Sequence, residues 1–141
     1  MGTTNSIHKV GFATVQRNIG RTDSILVNTL PLERQDCLIK GTISANTEVA
    51  LINMLLKKST NTCITVYGEN AADDSACKKC CQLSGLGFKD VKVYAGGLFE
   101  WLLLQDIYGT DNFPTTSQQL DILRYAGTQD QQTTSFALVN T

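Results

Sequence analysis

The sequence predicts an α/β fold in which helices cover both faces of a parallel sheet, giving three layers. Short apolar or β-branched runs alternate with helical segments between residues 24 and 108, and the connections are short. Neighbouring parallel strands need a crossover, which a helix usually supplies, and right-handed crossovers allow helices on both faces. With 141 residues, of which 42% are hydrophobic and 18% charged, the chain can bury the core that such a domain requires.

The first half of the chain contributes two predicted strands and one helix. Residues 24–28 form a β-branched apolar run that a proline soon ends, and residues 41–44 make a shorter second strand. Asn46 is the predicted N-cap of a helix that runs to Lys58, with Glu48 in its first turn and a pair of lysines in its last, as the helix dipole favours. The apolar face of this helix is predicted to contain Val49, Ile52, Leu55 and Leu56.

The second half repeats the alternation. Residues 63–67 are predicted as a strand, after which the chain turns at a glycine. A helix then follows, capped by Asp73, Asp74 or Ser75 and ended by Gly85. The remaining elements are, in order, the strand 91–94, the pair Gly96-Gly97 and the strongly apolar helix 98–107.

The chain divides into three predicted parts: an N-terminal segment 1–9, the α/β domain 10–108 and a C-terminal extension 109–141. In the extension, the residues from Pro114 onward offer caps for a helix over 118–125 that Gly127 closes. Residues 128–135 are a polar tract with too few apolar groups to pack, which predicts a mobile segment. Residues 136–139 are apolar and are open to two interpretations, an added edge strand or a loose end.

Charge and hydropathy exclude two classes of partner. A formal net charge of −1 gives no electrostatic reason to expect nucleic acid or an anionic membrane surface. The longest apolar stretches, residues 49–56 and 98–104, are far shorter than the ~20 residues that span a bilayer. The N-terminus lacks the basic start and apolar middle of a secretory signal, and its match to the N-myristoylation pattern is of a kind that often arises by chance. A soluble protein is therefore expected.

The five cysteines do not form the pattern of a disulfide framework, because their number is odd and three of them crowd into residues 77–81. Reduced thiols and a cytoplasmic location are therefore predicted. The Cys77-x-x-Cys80 spacing is open to redox or metal chemistry, but burial in the core is favoured. The reason is that four small or apolar residues share one helix stripe, namely Ala72, Ala76, Cys80 and Leu83.

The sequence predicts neither a metal nor another cofactor. A zinc site needs four ligands, and only Cys37, Cys63 or His8 are present to add to the cysteine cluster, none with a supporting pair. His8 is predicted to be an exposed polar residue rather than a general base. Trp101 is predicted to lie in the core, or, if part-exposed, to anchor a partner.

Four segments in this order and spacing resemble a single-domain rhodanese. They are residues 25–28, 38–43, 64–68 and 87–97. The last is the most specific, because a Gly-Phe turn, a short strand, a Gly-Gly pair and an aromatic-rich helix containing Trp101 are how rhodanese-like domains usually finish. The resemblance covers about residues 10–108 and implies a central parallel sheet of about five strands with helices on both faces.

The resemblance also implies where an active site would lie. In the family, the loop after the strand 63–67 opens with a nucleophilic cysteine that carries a persulfide, and backbone amides at the next helix N-terminus cradle the anion. In this chain Gly68 stands at the place of the nucleophile, which predicts the loss of the usual sulfur transfer. The candidate binding residues are those of this loop: Gly68, Glu69, Asn70, Ala71, Ala72, Asp73 and Asp74.

Other positions depart from the family pattern as well. The loop has three carboxylates and no Arg or Lys, so it is expected to repel thiosulfate or phosphate, and either to capture a cationic partner or only to cap the next helix. The acidic residue and arginine often found after the first core strand align with Asn28 and Leu30. The His and Pro of the usual His-Ile-Pro-Gly turn align with Leu38 and Lys40.

Three functions compete on these observations. The favoured one is a catalytically inactive rhodanese-like domain that acts as a binding or regulatory module for a protein or small-molecule partner. The alternative is a sulfurtransferase, moving sulfur from thiosulfate or a persulfide, that uses a displaced thiol such as Cys77, which is predicted to lie about a turn inside its helix. A third has the C-terminal extension dock on another protein or on a second copy through residues 136–139.

Overall fold

The computed structural model describes residues 7–127. In this part of the chain, one parallel sheet has the strand order β1-β4-β3-β2. Its strands are β1 (Lys9–Val10), β2 (Ser24–Asn28), β3 (Cys63–Tyr67) and β4 (Asp90–Tyr94). The α-helices that connect and cover them are α1 (Phe12–Asn18), α2 (Ala45–Lys58), α3 (Ser75–Leu86) and α4 (Gly97–Tyr108).

Side chains of the central strands alternate between two hydrophobic clusters, one on each face of the sheet. In register, Val66 of β3 lies between Val27 and Val93, and this face packs against α2 and α3. The next residue along β3, Tyr67, points to the opposite face, where α1 and α4 contribute Val15, Leu98, Trp101 and Leu102. The predicted α/β fold with helices on both faces is therefore confirmed.

The predicted strand over residues 41–44 is reduced to a single bridge. Thr42 pairs in parallel with Leu26, and the Ile43 amide donates to the Leu26 carbonyl at 2.8 Å. Gly41 lies in the left-handed region with φ +89°, and α2 begins only four residues later, so the chain has no room to extend the pairing. In residues 7–127 the sheet has four strands rather than about five.

Helix α2 packs most of its predicted apolar face against the core, because Ile52 is buried and Leu55 and Leu56 are partly buried, but its first turn departs from the prediction. Ser44, not Asn46, occupies the N-cap position. Val49 is 69% exposed, whereas Glu48 is 8% exposed and forms an ion pair with Lys79 of α3. The charged pair links the two helices on this face, so the carboxylate takes an inward position that hydrophobicity alone does not predict.

Helix α3 buries most of the predicted stripe. Ala76, Cys80 and Leu83 are buried as expected, but Ala72 lies before the helix and is exposed. The helix continues through the residue predicted to end it and stops at Gly87, whose φ of +119° is the left-handed conformation typical of a helix C-terminus.

The prediction of a helix over residues 118–125 is wrong. Only one 3-10 turn forms, at Ile122–Tyr125. Tyr125 is fully buried in the α4 face of the core while Leu123 is 75% exposed, so tertiary packing of one aromatic ring sets the conformation. The predicted extension thus contributes Phe113 and Tyr125 to the core. The predictions for residues 128–135 and 136–139 lie outside the described residues.

None of the helices within residues 7–127 has the length and hydropathy that crossing a bilayer requires. Trp101 is fully buried, as predicted for a core residue, and its Nε1 donates to the Pro114 carbonyl at 3.1 Å. His8 is exposed, also as predicted.

Candidate functional site

The candidate site is the loop of residues 68–74, which follows β3 and is called the Gly68 loop below. It lies against the N-terminus of α4, because the amides of Leu98 and Phe99 donate to the carbonyls of Gly68 and Glu69 at 2.9 and 2.8 Å. This approach requires Gly97, since a Cβ there would lie 2.8 Å from the Gly68 carbonyl oxygen. Gly97, the first residue of α4, therefore allows the loop to lie directly against this helix.

The space beside Gly68 is occupied by another residue of its own loop. A Cβ built on Gly68 would meet the Asp73 Oδ2 at 2.8 Å and the Thr29 Oγ1 at 3.1 Å. Real Cβ atoms essentially never approach as closely as the first of these distances. A side chain at the position of the family's nucleophile would therefore displace the Asp73 carboxylate.

The Asp73 carboxylate binds two backbone amides of the loop. Its Oδ1 accepts from the Ser75 amide at 3.0 Å and its Oδ2 from the Glu69 amide at 3.3 Å. Burial by itself raises the pKa of this carboxyl, but the hydrogen bonds from Ser75 and Glu69 outweigh burial and hold the pKa below its ordinary value of 3.8. The loop thus supplies its own anion to amides that face the Gly68 position.

We expect Asp73→Asn to lower the free energy of unfolding by about 1 kcal/mol at pH 7, because a neutral amide loses the charge-assisted hydrogen bonds. A carboxyl whose pKa is lower in the folded state adds stability above its unfolded pKa and loses it as the pH falls through the folded value. The difference between wild type and variant should therefore shrink as the pH falls below 3.8 and through the lower pKa that Asp73 has in the folded protein. Denaturant unfolding across this pH range measures it, and a pH-independent difference would contradict the proposed contact.

Asn70 faces the protein interior rather than a ligand. It is 8% exposed, and its Nδ2 donates to the Tyr125 carbonyl at 2.9 Å while its Oδ1 accepts from the Ala72 amide at 2.9 Å. The side chain therefore joins the Gly68 loop to the C-terminal 3-10 turn. Of the remaining loop residues, Ala71, Ala72 and Asp74 are exposed, and Asp74 lies 3.5 Å from Lys78.

The Gly68 loop contains no arginine, but the fold places two arginines from other parts of the chain beside it. Arg34 forms an ion pair with Glu69, and its Nη1 also donates to the Arg124 carbonyl at 3.0 Å. Arg124 in turn lies 3.4 Å from Asp36. These residues are 35 to 90 positions apart along the chain, so local sequence gives no signal of the contact. A cavity of about 290 Å³ lies between Arg34, Glu69 and Arg124.

The positions that depart from the rhodanese pattern after β2 have structural partners here. The Asn28 Oδ1 accepts from the Leu30 amide and from the Gln35 Nε2, both at 2.9 Å. Leu30 and Leu38 are buried in the core. These residues stabilise the connection after β2 and present no charged group to the Gly68 loop.

The five cysteines lie in different environments, and all are free thiols. Cys37 and Cys80 are buried, and burial raises the pKa of each thiol. Cys77 is half-buried and is the third residue of α3, so it lies in the first turn rather than a full turn inside as predicted. Sequence reasoning also missed a contact of Cys63, whose sulfur lies 3.3 Å from the Lys92 ammonium. Within residues 7–127, no three His, Cys, Asp or Glu side chains are grouped so that they could hold a metal ion.

No protein-family model matches the sequence, and a search of curated proteins gave no match. Solved structures are similar in fold. The BH2092 protein from Bacillus halodurans has a TM-score of 0.60 at 20% identity, over 92% of this chain and 89% of that one. The rhodanese-like domain of the Alr3790 protein from Anabaena sp. has a TM-score of 0.57 at 20% identity, over 89% of each chain.

A third similar structure is the thiosulfate sulfurtransferase from Pseudomonas aeruginosa, with a TM-score of 0.59 at 16% identity. The match covers 88% of this chain but only 24% of that longer protein. At such low identities the likeness bears on architecture alone. The strand order, the helices on both faces and these structures together show that the chain has the rhodanese-like fold.

Proposed function

We propose that this protein is a catalytically inactive rhodanese-like domain that acts as a binding or regulatory module. The observation that carries the proposal is the position of the Asp73 carboxylate, which accepts from the amides of Glu69 and Ser75 on the side of Gly68 where a nucleophile would need space. Two backbone amides are thus already hydrogen-bonded to the Asp73 side chain, and the loop has no thiol at its first residue.

Sulfur transfer by the family's route requires a thiolate that attacks a sulfane sulfur and carries it as a persulfide. Glycine has no atom that can form this bond. A dianion such as thiosulfate would also have to displace Asp73 from its amides and approach the neighbouring carboxylate of Glu69, at a cost in like-charge repulsion. Both arguments favour inactivity.

A binding role is supported by the surface beside the loop. The cavity between Arg34, Glu69 and Arg124 has charges of both signs, and two large apolar side chains lie exposed near it, Leu32 and Leu123. Exposed apolar side chains among arginines are typical of protein interaction surfaces. We therefore place the binding surface of the module at this cavity, with Glu69 as the member of the Gly68 loop that takes part. The free thiols support a reducing, cytoplasmic location.

The experiment is a thiosulfate:cyanide assay together with a persulfide-transfer assay on the purified protein. We expect no turnover above the rate without protein. Two variants accompany the wild type: Cys77→Ser, which removes the alternative nucleophile, and Cys81→Ser, which removes an exposed thiol on the same helix and serves as the matched control. If both the wild type and the Cys81→Ser variant show turnover, the proposal is contradicted.

The alternative function, sulfur transfer through Cys77, is favoured by one observation. Cys77 lies in the first turn of α3, where the helix dipole stabilises negative charge. Mass spectrometry after treatment with thiosulfate or polysulfide would detect a persulfide on this residue. Loss of turnover in Cys77→Ser alone would establish the alternative, and labelling confined to the exposed Cys81 would count against it.

A further inference from the structure

A second cavity, of about 220 Å³, lies toward the other end of the sheet from the Gly68 loop. Its lining includes Asn18 at the end of α1, Ser24 at the start of β2, Gly41 and Thr65. Strands run in parallel, and the Gly68 loop follows the carboxyl end of β3, so the two sites lie toward opposite strand ends. A water molecule takes up about 30 Å³ in the liquid, so this cavity is several times larger than one water needs.

The inner part of the cavity combines apolar walls with one unsatisfied hydroxyl. Thr65, in the middle of β3, is 1% exposed, and its Oγ1 makes no hydrogen bond to any group in residues 7–127. Buried hydroxyls are almost always hydrogen-bonded, because an unpaired one is costly. Val15 and Leu26 are both buried and lie beside it in the lining. The inner end therefore suits the apolar part of a ligand that carries one hydrogen-bonding group at its tip.

The outer part of the cavity is basic. Arg21 and Lys40, both exposed, belong to its lining, and no Asp or Glu does. The Arg21 guanidinium lies 2.8 Å from the Asp23 carboxylate, which partly balances its positive charge. Lys40 forms no ion pair with any of residues 7–127. The mouth therefore has a net positive charge.

We propose that this cavity binds a small organic anion. The carboxylate lies at the mouth beside Lys40 and Arg21, the apolar body lies between Val15 and Leu26, and a hydroxyl or carbonyl at the far end pairs with the Thr65 hydroxyl. This site involves no residue of the Gly68 loop, so its test is independent of the proposed loss of sulfur transfer.

The test is a titration with 4-hydroxybenzoate, followed through the amide chemical shifts of the ¹⁵N-labelled protein. Benzoate lacks the distal hydroxyl and 4-hydroxybenzamide lacks the charge, so the three probes separate the two ends of the cavity. We expect saturable shifts at the amides of Asn18, Gly20 and Gly41. Binding of 4-hydroxybenzoate should be about three- to tenfold tighter than binding of benzoate, the range that one hydrogen bond supplies, and it should also be tighter than binding of the uncharged 4-hydroxybenzamide.

Variants then assign each end. Thr65→Val should remove the preference for 4-hydroxybenzoate over benzoate, whereas Thr65→Ser, which keeps the hydroxyl, should preserve it. Lys40→Met should weaken both anions and leave 4-hydroxybenzamide unchanged. The amide spectrum of each variant reports directly whether the fold is intact. The proposal is overturned if no saturable shift occurs at these amides at millimolar probe, if the neutral amide binds as well as the anion, or if the shifts occur at the Gly68 loop instead.

Discussion

Gly97→Ala is expected to lower the free energy of unfolding by about 3 kcal/mol, the sum of a backbone penalty and lost hydrogen bonds. Gly97 has a φ of +69°, which costs an L-residue about 1–2 kcal/mol. A Cβ would also lie 2.8 Å from two backbone atoms, the Asn70 nitrogen and the Gly68 oxygen. Since backbone cannot rotate away as a side chain can, α4 and the loop must separate and weaken the bonds that Leu98 and Phe99 donate.

The matched control for this variant is Gly85→Ala. Gly85 lies inside α3, and a Cβ there meets no atom within 4 Å. Alanine is the better helix former, so this variant should be as stable as the wild type or more stable by up to about 1 kcal/mol. Denaturant unfolding of both variants measures the contrast. Equal stabilities of the two variants would show that the close approach of α4 to the loop does not need glycine.

Gly68→Cys alone is expected to produce a poorly reactive thiol. The new side chain would lie against the Asp73 carboxylate, and a neighbouring negative charge disfavours the thiolate. Gly68→Cys combined with Asp73→Ala should behave in the opposite way, because the Glu69 and Ser75 amides then face the thiol and stabilise its anion. At pH 7 we expect alkylation of the introduced thiol to be at least about tenfold faster in the double variant, a difference of one pKa unit or more.

The measurement is the pH dependence of iodoacetamide alkylation at position 68, read by mass spectrometry so that the five natural thiols do not interfere. Asp73→Ala alone is the control for changes in those thiols. Sulfur transfer from thiosulfate, measured on the same proteins, should be absent from the single variants and arise only in the double one. Equal alkylation rates in Gly68→Cys with and without Asp73 would contradict the role given to that carboxylate.

The fold was predictable because its signals are local. The β-branched runs that become β2, β3 and β4 are continuous along the chain, and glycines mark the turns beside them. Helix α1 was not predicted, since only Val15 among its seven residues is buried and no apolar repeat forms. The helix over residues 118–125 was predicted from caps and composition, but burial of the Tyr125 ring favoured a 3-10 turn.

The candidate site was predictable only in part. Its place after β3 and the glycine at its start follow from the order of residues, and the fold that they imply is confirmed. Glu69 contacts Arg34, which lies 35 positions away along the chain, and Asn70 contacts Tyr125, which lies 55 positions away. Such contacts depend on how β2, β3 and the C-terminal turn pack, which no window of sequence contains.

By itself, the sequence determined that this chain builds a parallel α/β sheet and that no side-chain nucleophile opens the loop after β3. Only the tertiary structure decided what fills that position. The Asp73 side chain turns back to the amides of Glu69 and Ser75, in a loop that packs closely against α4 at Gly97. The sequence fixes which hydrogen-bonding groups are present, whereas tertiary packing fixes which of these groups pair with each other.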